Sequence, residues 1–309
     1  MSRIHEALQR AYLERGKSPF SGEIQVIDPP SNTAYEEPPA AKAEVDLEEI
    51  AEHRWTPSLP SFPTLADRGA GVEQFRSLRS HVYQARYEAP LKTILIASGM
   101  PSEGKSFVAA NLAMSLARNS IHNILLIDGD LRRPTLHTLL GAPNSPGLSD
   151  YLEGTAEAAD IMQRDRSSES QETPGAASIS NLTFIASGKC NENSSELVAN
   201  HRIEELIATL APHFDWIVID APPVLAVTDA VDLARAADAV LLVARGAKTP
   251  YEVAQRAQAA FSSSRILGFV LNDVEGVQHS GSYNYNYSYY GESEAGGQPK
   301  RRKDNGKQA

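Results

Sequence analysis

Short apolar runs alternate with amphipathic segments between residues 71 and 272 of the chain. Each run is almost wholly apolar, which is typical of strands buried on both faces of a parallel sheet. The segments between the runs place apolar residues at helical spacing, which predicts helices over residues 71–87 and 106–118, among others. The predicted strands are Thr93–Ser98, Asn123–Asp128, Asn181–Ala186, Trp216–Asp220, Ala239–Ala244 and Ile266–Leu271. The pattern therefore predicts an α/β fold, in which a mostly parallel sheet carries helices on both faces.

The N-terminal part of the chain lacks this alternation. Residues 1–16 carry apolar groups at helical spacing and predict a short amphipathic helix, which packs either on its own domain or on a partner. Residues 17–70 are rich in Pro, Glu, Ala and Ser and predict a disordered linker, because they offer too little apolar surface to offset the chain entropy lost on folding. The folded domain is therefore expected to span residues 71–274.

Two other segments also depart from the pattern. Residues 163–180 are rich in Ser, Glu and Gln and predict a surface loop. Residues 275–309 are rich in Gly, Ser, Asn and Tyr and predict a flexible tail. Five tyrosines of this tail lie within eight residues, at Tyr283, Tyr285, Tyr287, Tyr289 and Tyr290.

Composition narrows the classes of function. The formal net charge of −10 disfavours binding to nucleic acid, whose phosphates an acidic surface repels. The single cysteine, Cys190, excludes an internal disulfide bond, which fits a reducing cytoplasm. No stretch of 18 consecutive apolar residues is present, so no transmembrane helix is expected and a partner would have to recruit the chain to a membrane.

The segment Gly99–Ser106 has the sequence GMPSEGKS and matches the phosphate-binding pattern G-x-x-x-x-G-K-[ST] between a predicted strand and a predicted helix. In such a P-loop the backbone N–H groups and the helix N-terminus surround the phosphates. Lys105 is expected to reach the β- and γ-phosphates, and the Ser106 hydroxyl to ligate Mg²⁺. The residues expected to contact ATP are Gly99, Pro101, Ser102, Glu103, Gly104, Lys105, Ser106 and Phe107.

Carboxylates follow two of the predicted strands. Asp128 and Asp130 follow one strand, and Asp220 ends another. Because ligands of parallel sheets gather at the carboxyl ends of the strands, these acids should converge on the phosphate site. We expect Ser106, Asp128 and Asp220 to hold Mg²⁺, and either Asp128 or Asp130 to accept a proton from an attacking hydroxyl. The candidate catalytic residues are Lys105, Asp128, Asp130 and Asp220.

These motifs together resemble the bacterial tyrosine kinases of the capsule and exopolysaccharide type, which are similar to the MinD and ParA ATPases. The resemblance covers about residues 71–291. It rests on the P-loop form P-S-E-G-K-S, on the D-G-D-L-R sequence that begins at Asp128, on the D-A-P-P sequence that begins at Asp220, and on the clustered tail tyrosines. A lysine that MinD and ParA proteins carry five positions before the P-loop lysine is replaced here by Met100, which favours a kinase.

One further motif supports this resemblance, and one stretch of the chain departs from it. Glu73, Arg76 and Arg79 match the family's E-x-x-R-x-x-R motif and lie on one helix face, which implies a contact between subunits. The stretch Gly188–Ser195 departs from the family, which often has prolines there.

The resemblance implies a P-loop protein-tyrosine kinase that uses ATP and Mg²⁺ to phosphorylate the tail tyrosines of a neighbouring subunit. It implies a homo-oligomer, a membrane-bound activator or polysaccharide co-polymerase as partner, and a tyrosine phosphatase. It places the chain in the cytoplasm, at the inner face of the membrane, in exopolysaccharide or capsule production. The alternatives are a MinD- or ParA-like ATPase switch and an ATP-bound scaffold without catalytic activity.

Overall fold

A computed structural model describes residues 50–66, 68–118, 121–166, 181–189 and 194–274. Its strands are β1 Ala51–His53, β2 Thr93–Ser98, β3 Ile124–Asp128, β4 Met162–Asp165, β5 Leu182–Ile185, β6 Trp216–Asp220, β7 Ala239–Arg245 and β8 Ile266–Asn272. Its α-helices are α1 Ala70–Glu88, α2 Lys105–Ala117, α3 Leu136–Leu140, α4 Leu148–Leu152, α5 Ser194–Ala199, α6 Arg202–Leu210, α7 Asp229–Leu233 and α8 Tyr251–Ala260. None of the helices in these ranges is long and apolar enough to cross a bilayer.

The strands form one sheet in the order β1-β4-β5-β3-β6-β2-β7-β8. All neighbouring pairs are parallel except β4 and β5, so β1 and β4 run against the other six strands. The register of β3 and β6 places Asp128 directly beside Asp220 at the carboxyl ends of the strands. The predicted mostly parallel sheet is confirmed, and each of the six predicted strands is present within about one residue of its expected ends.

Helices cover both faces of this sheet. Alternate residues of β2 point to opposite faces, so Ile94 and Ile96 pack with α1, α2 and α3, whereas Leu95 and Ala97 pack with α4 to α8. The central strands are fully buried, which explains why their sequences are apolar throughout rather than alternating. The fold therefore directs every parallel strand toward one common edge, where the P-loop and the acids lie.

Residues 50–66 belong to the folded domain, which corrects the predicted linker boundary at residue 70. β1 pairs with β4, and Trp55 is buried with its ring 6.0 Å from that of Phe184. The Trp55 backbone N–H and indole N–H donate to Asp165 and Gln163 on β4, at 3.1 and 3.3 Å. A few widely spaced apolar residues hold this segment in place. It therefore has no periodic run of apolar residues from which its place in the folded domain could be predicted.

The predicted loop over residues 163–180 is also corrected at its start. Gln163–Asp165 lies in β4, which pairs antiparallel with β5. The strand has only four residues, and three of them are polar, so its sequence resembles a loop more than a buried strand. The predicted N-terminal helix (residues 1–16), residues 17–49 of the linker, residues 167–180 of the loop and the tail from residue 275 lie outside the described residues.

Candidate active site

The P-loop connects the end of β2 at Ser98 to the start of α2 at Lys105. Two of its residues adopt left-handed backbone conformations, Ser102 with φ of 64° and Gly104 with φ of 91°. Gly104 is required here, because a Cβ atom would collide with the side-chain amide of Asn272 and because few side chains tolerate this conformation. The loop therefore opens onto the N-terminus of a 13-residue helix, a favourable place for phosphate.

A cavity of about 680 Å³ lies over this loop. Six of the eight residues expected to contact ATP line it, namely Pro101, Ser102, Gly104, Lys105, Ser106 and Phe107. Gly99 does not, because it packs against Val253 of α8, where a Cβ would lie 2.9 Å from a valine methyl group. The cavity volume falls in the range of sites that enclose a small-molecule ligand.

Glu103, the eighth residue, has a buried side chain that braces the loop from within. Its carboxylate accepts a hydrogen bond from the Met100 backbone N–H at 2.7 Å and another from the Thr249 hydroxyl. The Asn272 side chain donates to the Glu103 carbonyl oxygen at 3.0 Å. The sequence did not identify Thr249 or Asn272 as part of the site. Asn272 is the last residue of β8 and lies at the carboxyl ends of the strands, where ligands of parallel sheets bind. Its position directly after a predicted strand could therefore have identified it as a site residue.

Lys105 lies between two of the predicted acids. Its Nζ is 3.0 Å from Asp130 Oδ2 and 3.9 Å from Asp220 Oδ1. Burial lowers the pKa of Lys105, but attraction by Asp220, Asp130 and Asp128 outweighs burial and raises the pKa above its ordinary value. Lys105 is therefore a fixed positive charge directed at the position that phosphates would take.

Asp220 has the features of a metal ligand. It is fully buried, and neither carboxylate oxygen has a hydrogen-bond partner of good geometry among the described residues. Burial raises the pKa of Asp220 to about 6, although Lys105 and the Ser106 hydroxyl both favour the charged form. A buried carboxylate without donors is costly unless a cation or a proton occupies it. Its charge and its position beside Ser106 fit Mg²⁺.

Asp128 is held by backbone donors. Its Oδ1 accepts from the Asp130 N–H at 3.2 Å, and its Oδ2 accepts from the Thr135 and Leu136 N–H groups at 3.1 and 3.0 Å. Burial and repulsion by Asp220 nevertheless raise the pKa of Asp128 to about 8, which is suitable for a group that accepts a proton near neutral pH. The carboxylate of Asp130 has different partners. It forms an ion pair with Lys105 and accepts a hydrogen bond from the Arg133 N–H at 3.0 Å.

The described residues hold no group of three or more His, Cys, Asp or Glu side chains arranged for a metal ion. Mg²⁺ is commonly held by one or two carboxylates together with substrate phosphates rather than by an all-protein cage. If Asp128, Asp130 and Asp220 are all ionised, their charges and that of Lys105 leave a formal charge of −2. A divalent cation would balance it.

Arg132 lines the same cavity and is held in place by a buried carboxylate. Its Nε donates to Asp229 Oδ2 at 3.1 Å, and its Nη2 donates to the Ser195 hydroxyl at 2.5 Å. The Ser195 hydroxyl in turn donates to Asp229 Oδ1 at 2.6 Å. The sequence motif contained Arg132, but nothing in the sequence indicated Ser195 or Asp229, because they lie 63 and 97 residues away along the chain.

The predicted subunit-contact residues on α1 differ in their contacts and exposure. Glu73 and Arg76 form an exposed ion pair at 2.8 Å, with side chains 62% and 53% exposed. Arg79 instead donates to the Ser115 carbonyl oxygen of α2 at 2.5 Å. The first two residues are thus available to a neighbour, whereas Arg79 already makes a contact within the chain.

Comparison with known proteins identifies a nucleotide-binding family and several tyrosine kinases among the relatives of this chain. The model of the CobQ/CobB/MinD/ParA nucleotide-binding domain matches residues 94–294. The tyrosine-protein kinase YwqD of Bacillus subtilis is 34% identical over 221 residues, which cover 71% of this chain and 86% of YwqD. CapB of Staphylococcus aureus is 32% identical over 222 residues, 71% of this chain and 90% of CapB. The tyrosine-protein kinase wzc of Salmonella typhimurium is 35% identical, but the match spans only 29% of that protein.

Solved structures give the same assignment. The chimerical protein CapA2B2 superposes with a TM-score of 0.62 at 28% identity, covering 73% of this chain and 92% of that structure. The kinase domain of the Escherichia coli tyrosine kinase ETK has a TM-score of 0.59 at 32% identity, covering 70% and 80%. The fold and the P-loop site define a nucleotide-binding protein. Within that class, the chain belongs to the bacterial tyrosine kinases of the CobQ/CobB/MinD/ParA family, which confirms the predicted resemblance.

Proposed function

We propose that the chain transfers the γ-phosphate of ATP to tyrosines of its own C-terminal tail. The observation that carries the proposal is the position of Lys105, whose ammonium lies between Asp130 and Asp220 at the opening of the P-loop. Phosphoryl transfer depends on positioning and on neutralising charge, and this arrangement supplies a fixed cation beside buried acids.

The proposed mechanism assigns one task to each group. The loop amides and Lys105 bind the β- and γ-phosphates at the N-terminus of α2. Ser106 and Asp220 would hold Mg²⁺, with Asp128 beside them; the ion would neutralise charge on the phosphates. Asp128 accepts the proton of the attacking tyrosine hydroxyl, while a new O–P bond forms and the bond between the γ-phosphorus and ADP breaks. Asp130 is less suited to be the base, because it is paired with Lys105.

Position along the chain supports the tail as acceptor. The Asn272 side chain at the end of β8 donates to the P-loop, so the last strand before the tail ends beside the active site. Tyr283 follows Val274 by nine residues. Nine extended residues span at most about 30 Å, which would allow tail tyrosines to reach this site or that of a neighbouring subunit. Several tyrosines close together in one segment would raise the effective concentration of acceptor hydroxyls.

We further propose that the chain acts as a homo-oligomer, in which Glu73 and Arg76 contact the neighbouring subunit. A membrane-bound activator or polysaccharide co-polymerase would recruit it from the cytoplasm to the inner face of the membrane. A tyrosine phosphatase would reverse the modification. The process served would be production of exopolysaccharide or capsule. The chimerical CapA2B2 and the kinases wzc and YwqD are the relatives that support these assignments.

The decisive experiment incubates the purified chain with γ-labelled ATP and Mg²⁺ and identifies the labelled amino acid. We expect phosphotyrosine in the wild type and none in Lys105→Met. A variant with all five clustered tyrosines changed to Phe should still bind ATP but lose most of the label. Release of phosphate without labelled protein would favour the ATPase switch instead, and the activator should be added before a negative result is accepted.

A further inference from the structure

Three arginines surround a second cavity, at the opposite end of α2 from the P-loop. The cavity has a volume of about 340 Å³ and lies between α1 and α2, with Arg76, Arg79 and Arg118 in its wall. We call it the arginine pocket. Because α2 has 13 residues, its two ends are about 20 Å apart, and the arginine pocket is separate from the nucleotide site.

Backbone carbonyl groups fix two of the guanidinium groups. Arg79 donates to the Ser115 carbonyl at 2.5 Å, and Arg118 donates to the Ala66 carbonyl at 3.1 Å. A guanidinium has five N–H donors, so each of these arginines retains donors for a ligand. Their side-chain entropy is already partly lost in the folded chain, which lowers the cost of binding an anion.

The charge of the arginine pocket is not balanced by the residues that line it. No carboxylate is among the described residues of its wall, and Glu73, which pairs with Arg76, is the acid that we find beside it. The three arginines and Glu73 leave a formal charge of +2. Tyr83 also lines the pocket, and its buried hydroxyl has no hydrogen-bond partner among the described residues. A buried polar group without a partner indicates a missing acceptor.

We propose that the arginine pocket binds a phosphoryl dianion, either the phosphotyrosine of a tail or free phosphate. A phosphate monoester carries about −1.5 to −2 charges near neutral pH and offers three acceptor oxygens, which match the charge and the donors of the pocket. Clusters of arginine are the usual means of binding phosphorylated side chains. A cavity of this size is at the lower limit for a ligand site, so it suits one phosphorylated side chain.

The proposal rests on the proposed function for the phosphotyrosine, which is the product of that reaction. Arg76 belongs both to the arginine pocket and to the exposed ion pair with Glu73. A phosphorylated tail bound there would compete with Glu73 for Arg76. Tail phosphorylation would thereby change the surface that we assign to the subunit contact.

The test measures binding of a fluorescent peptide of residues 281–291, phosphorylated at Tyr287, to the full chain. The chain has its five clustered tail tyrosines changed to Phe and is saturated with ADP and Mg²⁺, so that no phosphorylated tyrosine of that cluster competes with the peptide and the P-loop is filled. We expect the phosphopeptide to bind at least about tenfold more tightly than its unphosphorylated form. Arg118→Ala should weaken binding about tenfold or more, because a charge-assisted hydrogen bond is lost.

Arg118 is chosen because it lies outside the E-x-x-R-x-x-R motif, so its loss should not remove the predicted subunit contact. Arg235→Ala is the matched control: Arg235 is also a partly exposed arginine at a helix end, paired with Asp232, but it is not part of the pocket. Unchanged circular dichroism and ADP affinity of Arg118→Ala would show that its fold is intact.

Competition with inorganic phosphate shows whether the arginine pocket binds the phosphorylated tail or free phosphate. Displacement of the phosphopeptide by phosphate at a similar concentration assigns the pocket to free phosphate, and displacement only at much higher concentration assigns it to the phosphorylated tail. Equal binding of the two peptides, or an affinity unchanged by Arg118→Ala, would overturn the proposal. Because binding requires no catalysis, failure of this test is distinct from failure of the kinase assay.

Discussion

Asp128→Asn should stabilise the chain in the absence of nucleotide at alkaline pH and destabilise it at acid pH. Asp128 is fully buried, and its folded-state pKa is raised to about 8, chiefly by burial and then by Asp220. In the unfolded chain its pKa is ordinary, about 3.9. A carboxyl group with a raised folded-state pKa contributes stability that is fully present below about pH 4 and is lost progressively until the pH passes about 8.

The size of this effect follows from the shift. Four pKa units correspond to about 5 kcal/mol lost by the wild type above pH 8. An asparagine at this position cannot ionise, so the variant does not lose this stability as the pH rises. Its amide would, however, meet the Asp130 N–H, donor against donor, which costs about 1–3 kcal/mol at every pH. We therefore expect a net gain of about 2–4 kcal/mol at pH 9.

The assay is thermal unfolding of the full chain between pH 4 and pH 9, without nucleotide. For a domain of this size each kcal/mol moves the midpoint by about 2–4 °C, so Asp128→Asn should melt at least about 4 °C above wild type at pH 9 and below it at pH 4. Asp160→Asn is the control, because Asp160 is exposed and should give no such crossing. A variant that is less stable than wild type at every pH would refute the assignment of a strained, buried charge.

Three further predictions concern the reaction. Because the base must be unprotonated and its pKa is raised, kcat/KM for ATP should rise with pH and level off above about pH 8; a pH–rate profile that Asp128→Asn leaves unchanged would exclude Asp128 as the base. Asp229→Asn should lower kcat about tenfold while the ADP dissociation constant changes less than about twofold, since it removes the charge that positions Arg132; Ser195→Ala should have a smaller effect in the same kinetic assay. Asn272→Ala should weaken ADP binding about tenfold in calorimetry, because it removes the amide that braces the P-loop, and an unchanged affinity would show that this contact is dispensable.

Local signals account for what the sequence predicted. Five of the six predicted strands (β2, β3, β5, β6 and β7) are buried almost throughout, whereas β8 is a partly exposed edge strand. All six are nevertheless apolar runs, and the P-loop is a single short motif between a strand and a helix. The convergence of Asp128 and Asp220 follows from the parallel sheet, in which strands end at the same edge.

Features that depend on distant partners escaped the sequence. Trp55 is held by β4 more than a hundred residues later, and neither segment has a periodic pattern of its own. Asn272, Thr249, Ser195 and Asp229 are single polar residues that only the folded chain brings to the site. Polar side chains acquire such roles from three-dimensional position, which hydrophobic periodicity does not encode.

The most direct test of tyrosine kinase activity mixes two full-length variants, neither of which should phosphorylate its own tail. The Lys105→Met chain keeps its tail tyrosines but lacks the phosphate-binding lysine, and a second chain keeps Lys105 but has the five clustered tail tyrosines changed to Phe. With ATP, Mg²⁺ and the activator, we expect phosphotyrosine on the Lys105→Met chain within residues 283–290, and none when either chain is incubated alone. ADP formation in the mixture without phosphotyrosine on either chain would contradict the account.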